Sequence, residues 1–276
     1  MKAVFRAAIA ALAFVAAIGA QAQVAGRAVT KEELLVLRLK LKNLYSDDQW
    51  MQEFVSTKMP MFSGESADRM KRHVQGLLTD DRLLDKLAEL AGPAIEAGYT
   101  NKQFEAYFIE SGMGLALKGL RRLDDGDLFF YAKLVEELLA FLPTDVCKAV
   151  LNNELSAKKI QVAEQIWMSR LPIDKLDVVL AFYRRAVLAE VQGYPSSRTL
   201  TADQAELGTQ ALQRAALERW SRMADPTAGP RSFANTKDAD PSELCLSGLE
   251  FVRAYGDLKE PVRSWALLGF AIASGR

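Results

Sequence analysis

The chain has 276 residues, half of them hydrophobic, with 35 basic and 35 acidic side chains and a single histidine. Zero net charge lacks the basic face that displaces phosphate counterions from nucleic acid, and it lacks the polybasic character of a membrane-surface protein. One histidine leaves no room for a histidine-rich metal site, while the length suffices for one large helical core or two small ones.

At the N-terminus, Lys2 and Arg6 form a positive region, Ala7 to Ala20 an apolar stretch, and Ala20-Gln21-Ala22 a small-residue cleavage site. The apolar stretch falls short of the roughly 20 residues that span a bilayer. Residues 1–22 therefore read as a cleaved secretory signal peptide, with no transmembrane segment left after cleavage. A mature chain of residues 23–276 in the periplasm is expected. Without its signal (276 less 22, or 254 residues), it carries 33 basic side chains (35 less Lys2 and Arg6) against 35 acidic ones.

Thr30 and Glu33 have the spacing of a capping box, and the helix behind them places Leu34, Leu37, Leu41, Leu44 and Tyr45 on one face. Ser46 with Gln49 opens a second helix carrying Trp50, Met51, Phe54 and Val55. The chain must then turn at Met59-Pro60-Met61-Phe62-Ser63-Gly64. Exposed, Met59, Met61 and Phe62 form an adaptable contact surface; tucked inward, they are core filler. Ser66 starts a helix with Met70, Val74, Leu77 and Leu78 inward. Thr79 starts another, which Gly92-Pro93 should stop or kink.

The stretch from Thr100 to Leu151 organises the rest. Thr100 and Gln103 form a capping box, and the long helix behind them bears Phe104, Tyr107, Phe108, Leu115 and Leu120 beside a strip of Gly112, Ala116 and Gly119. Each glycine costs the helix about 1 kcal/mol against alanine, which close packing of a second helix, or a partner element in the notch, would offset. Asp124 to Asp127 open the next helix, apolar from Leu128 to Phe141, and after Pro143 a short helix carries Cys147, Val150 and Leu151.

Ser156, Pro172 and Thr201 with Gln204 open three further helices, and Gly193 with Pro195 ends the second of them. Between Ala224 and Asp240 the chain has Pro226, Gly229-Pro230 and Asn235 without apolar periodicity, which predicts a passive or disordered linker, or else a partner-contact loop around Arg231 and Phe233. Asp240-Pro241-Ser242-Glu243 caps the helix of Leu244, Cys245, Leu249, Val252 and Tyr255, and Pro261 begins the last helix.

The fold class is therefore all-α: about ten to twelve helices in an irregular multi-helix bundle or array. Residues 23–276 make a single helical domain, and a division into lobes 23–155 and 156–276 is allowed. In an oxidising compartment Cys147 and Cys245 are expected to form a structural disulfide. Two buried free thiols are the alternative.

Chemistry is sparse. His73, the one histidine, lies in Arg69-Met70-Lys71-Arg72-His73, where a boundary position in a basic patch is expected and basic neighbours lower its pKa. The acidic positions Glu105, Glu110, Glu136, Glu137, Asp124, Asp125 and Asp127 are explained by helix capping and solvated faces. There is no glycine-rich phosphate loop, G-x-S-x-G, H-E-x-x-H, EF-hand loop or C-x-x-C. No catalytic residue, metal ligand or cofactor is assigned.

The resulting expectation is a non-catalytic periplasmic protein that binds another envelope protein, in its sharpest form an immunity protein or inhibitor of an envelope-directed toxin or hydrolase. Met59, Met61, Phe62, Arg231 and Phe233 are the candidate contact residues. An envelope-assembly adaptor or chaperone, a carboxylate-dependent glycan hydrolase and a lipid or small-ligand carrier are the competing readings.

Overall fold

The structure is a computed structural model that describes residues 29–155 and 157–274. The expected signal peptide and the Ser156 cap lie outside the described residues. Among the described residues the chain is all-α: thirteen α-helices and two short 3₁₀ turns, with no strand. The helices are α1 (Lys31–Ser46), α2 (Asp48–Lys58), α3 (Gly64–Leu78), α4 (Asp81–Glu96), α5 (Asn101–Gly119), α6 (Asp125–Phe141) and α7 (Thr144–Leu151). They continue as α8 (Ala157–Ser169), α9 (Ile173–Gln192), α10 (Ala202–Trp220), α11 (Ala228–Ala234), α12 (Pro241–Arg253) and α13 (Val262–Ser274). No helix among the described residues is long and apolar enough to cross a membrane.

The helix starts follow local chemistry. Thr30 and Thr201 both make complete capping boxes, with Glu33 and Gln204 reaching back to the cap N–H. Thr100 and Gln103 exchange the same pair of bonds at the head of α5. Other starts shift by a residue or more. Asp47, not Ser46, caps α2; Ser63 caps α3, putting Ser66 at its third position; and Asp80, not Thr79, caps α4. In the first and last of these the carboxylate next to the hydroxyl takes the orphan N–H. Gly92-Pro93 does not stop α4, which continues to Glu96 and is closed by Gly98 at φ +65°. Gly92 is buried there, and Pro93 sits one turn from the helix end, where few further backbone bonds depend on it.

The helices group into two compact units interleaved along the chain: residues 29–119 with 168–194, and residues 120–167 with 195–274. In the N-terminal unit, α1 packs on α4, and Arg38 pairs with Asp81 and Asp85. Leu35, Leu37, Leu39 and Leu41 alternate along the sequence as in a strand, yet the segment is helix: Leu37, Leu41 and Tyr45 are buried and Leu35 and Leu39 face outward. Helix α5 lies along α9 so closely that a Cβ on Gly119 would stand 1.8 Å from the carbonyl oxygen of Ala186. No side chain fits at that crossing. At Gly119 the expected small-residue strip thus serves helix packing.

The C-terminal unit is held by different means. Cys147 of α7 and Cys245 of α12 are joined by a disulfide, both within the core and 98 residues apart in sequence. Behind it runs a succession of ring contacts, Trp220–Phe251–Tyr255–Phe270–Tyr131. An ionic chain of Lys133, Glu136, Arg253, Glu250, Arg219 and Asp257 links α6, α12, α10 and the turn at Ala254–Asp257. The segment before α10 is fastened by Arg198, whose guanidinium donates to the Leu123 carbonyl and to Asp125.

Candidate functional site

The five candidate contact residues separate into a buried group and an exposed one. Met59 and Phe62 are buried and Met61 is half-buried. The 59–64 turn therefore does not offer a methionine-rich contact surface. It turns its apolar side chains inward, which removes more apolar area from water than display would.

Arg231 and Phe233 lie together on an exposed stretch, and it is not a passive linker. Residues 228–234 form helix α11, against the expectation of an irregular 224–240 segment. Periodicity missed it because the helix is held by small residues rather than by an apolar stripe: Ala228, Gly229 and Ser232 are its buried positions. A Cβ on Gly229 would lie 2.3 Å from the Trp220 indole, so α11 can seat on that ring only with glycine there. Trp220 is itself fixed by its Nε1–H, which donates to the Ser247 carbonyl at 3.0 Å.

On this base Phe233 rests against Trp220 and Phe251, with ring centroids 5.1 and 5.6 Å away, and stays 37% exposed. The Arg231 guanidinium is steered by Glu243, whose two oxygens accept at 2.8 and 2.9 Å, and by Asp225 at 3.1 Å. An exposed aromatic side chain next to an oriented arginine, both on immobilised backbone, has the composition of an interface anchor. Helix α11 packs on α12, the helix that carries Cys245.

The carboxyls with a resolved displacement give no sign of tuned proton chemistry. A general acid at neutral pH needs a raised pKa, yet the displaced carboxyls Asp80, Asp81, Asp125, Glu136, Asp225, Asp240, Asp257 and Glu260 are all displaced downward. At Asp125 burial opposes ionisation, but hydrogen bonds from Ser264 and Arg198 outweigh it. At Glu136 burial is likewise outweighed, by Lys133 and Arg253. Asp124 caps α6 by accepting from the Asp127 N–H, and Glu110 is exposed. Among the described residues no three His, Cys, Asp or Glu side chains are grouped to hold a metal ion.

His73 is half-buried, and its pKa is pushed down to about 4, first by burial and then by the nearby Arg184. The sequence pointed to charged neighbours on its own helix. The cation that acts on the ring comes from α9, and no local pattern indicates it. Sequence reading also missed the outward row of Leu35, Val36 and Leu39 on α1, each about half exposed.

Comparison with protein-family models, with curated proteins and with solved structures finds no match to this chain.

Proposed function

We propose that the chain is an exported envelope protein that works by binding another protein, and that the α11 surface of Arg231 and Phe233 is its contact site. The observation that carries this reading is the seating of Phe233: an apolar ring kept partly in water, on a helix whose backbone is fixed by Gly229 against Trp220. Pre-ordered aromatic and arginine anchors bind with little further loss of conformational freedom. The disulfide and the signal-like N-terminus support a periplasmic location, where such cross-links persist. The sharpest version is an immunity protein or inhibitor that covers an envelope-directed toxin or hydrolase.

The test is capture of stoichiometric partners by the mature protein from envelope extract and from culture with competing strains, with Phe233→Ser run alongside. One dominant toxin or hydrolase, inhibited on binding and lost by the variant, supports the immunity reading. A set of assembly or secretion components lost by the variant supports an adaptor instead. No partner at several salt concentrations contradicts the proposal and turns attention to glycan-cleavage and lipid-binding assays.

A further inference from the structure

Three arginines of the N-terminal unit have a carboxylate at hand. Arg38 pairs with Asp81 and Asp85, Arg82 with Asp80, and Arg69 with Glu65 and Asp177. Between α3 and α9 this pattern breaks. Arg69 meets Asp177, and seven residues further along both helices Gly76 meets Arg184, where a Cβ on the glycine would lie 3.4 Å from the guanidinium Nη1. At the place where an acid would complete a second pair, α3 has no side chain.

The result is a set of unused donors. Among the described residues Arg184 and Arg72 have neither an ionic nor a hydrogen-bonded partner, and both are exposed. Arg72 precedes Gly76 by four residues and so stands on the same face of α3. His73, one turn before Gly76, has an Nε2 with no exposed surface and no hydrogen-bond partner. The Arg184 charge is close enough to act on this ring.

We propose that Arg72 and Arg184, gathered at the Gly76 notch beside His73, form a binding site for an oxyanion, a phosphate or carboxylate group of a ligand. Guanidinium groups present paired, planar donors that match both anions, and Arg184, seated over Gly76 with no acid across from it on α3, keeps its donors available to one. The site stands independently of the α11 surface.

His73 supplies the assay, because its imidazole signals are the only ones of their kind in the untagged chain. These signals are followed by NMR at pH 7 while sodium phosphate, sodium acetate or sodium chloride is added at matched ionic strength. The site predicts a saturable shift with phosphate or acetate and none with chloride, and the tighter of the two identifies the preferred oxyanion. Gly76→Asp, which gives Arg184 an internal partner, and Arg184→Gln should each weaken binding about tenfold or more, the scale of one charge-assisted hydrogen bond. Equal responses to all three salts overturn the proposal. So does a phosphate or acetate response that survives Arg184→Gln unchanged.

Discussion

The two units join distant parts of the chain by opposite means. In the N-terminal unit Gly119 meets the backbone at Ala186 across 67 residues of sequence, with no covalent bond, because a missing side chain lets two helices touch. In the C-terminal unit Cys147 and Cys245 are bonded across 98 residues, and the helices around them carry aromatic rings and ion pairs. Close packing depends on the folded geometry of every neighbour. A disulfide also restricts the unfolded chain, so it holds under perturbations that loosen packing.

Removing the disulfide is the largest expected perturbation. Cys147→Ser with Cys245→Ser, or reduction, should cost about 4 to 5 kcal/mol in the chain-entropy model for a loop of this size. Denaturant unfolding would measure the loss. Hydrogen exchange should place it in residues 120–167 and 195–274, while protection in 29–119 and 168–194 changes little.

Gly119→Ala is the counterpart in the other unit. Its Cβ would meet backbone rather than a movable side chain, so α5 and α9 must separate, at roughly 3 kcal/mol or more. Gly114, on the same helix, has open space around its Cβ position. Gly114→Ala should therefore stabilise by about 0.5 to 1 kcal/mol, and equal effects at the two positions would contradict the packing account.

Acid should separate the units by a third route. The folded pKa of His73, about 4, lies below the ordinary 6.5, so the unfolded chain takes up that proton first as pH falls. Stability should fall between pH 6.5 and 4, by at most about 3.5 kcal/mol, and this contribution should change no further below pH 4. His73→Gln should flatten that decline in urea melts taken across the range. Asp125 and Glu136 in the C-terminal unit have depressed pKa values, so their contribution is present above the ordinary carboxylate range and is lost as pH falls through their lower folded values.

The smallest expected effect is at Tyr45. Its hydroxyl is buried without a hydrogen-bond partner, and burial pushes the phenol above its usual range. Tyr45→Phe removes a desolvated polar group, so stability should hold or rise by up to about 1 kcal/mol, read from the thermal midpoint.

How much of this was legible beforehand depended on range. Thr30, Thr100, Thr201 and Asp240 announced their helices because a cap is written within four residues. The cysteine pair was legible from the count and the expected compartment. Helix α11 was not, because its buried face is Ala228, Gly229 and Ser232 and its partner Trp220 belongs to another helix. Burial of Met59 and Phe62 was equally hidden, since periodicity does not say which turn folds inward. The Arg184–Gly76–His73 grouping arises from two helices about a hundred residues apart, and nothing in the sequence aligns their registers.

The central claim is that binding resides on a surface of the disulfide-held unit. Its most direct test is the affinity of the captured partner for oxidised wild-type protein, Phe233→Ser, Cys147→Ser with Cys245→Ser, and Gly119→Ala, measured by calorimetry on folded material. The account predicts losses of about tenfold or more for Phe233→Ser and the cysteine variant, on the scale of an interface anchor, with Gly119→Ala near wild type. Unchanged affinity in Phe233→Ser, or a loss confined to Gly119→Ala, would contradict it.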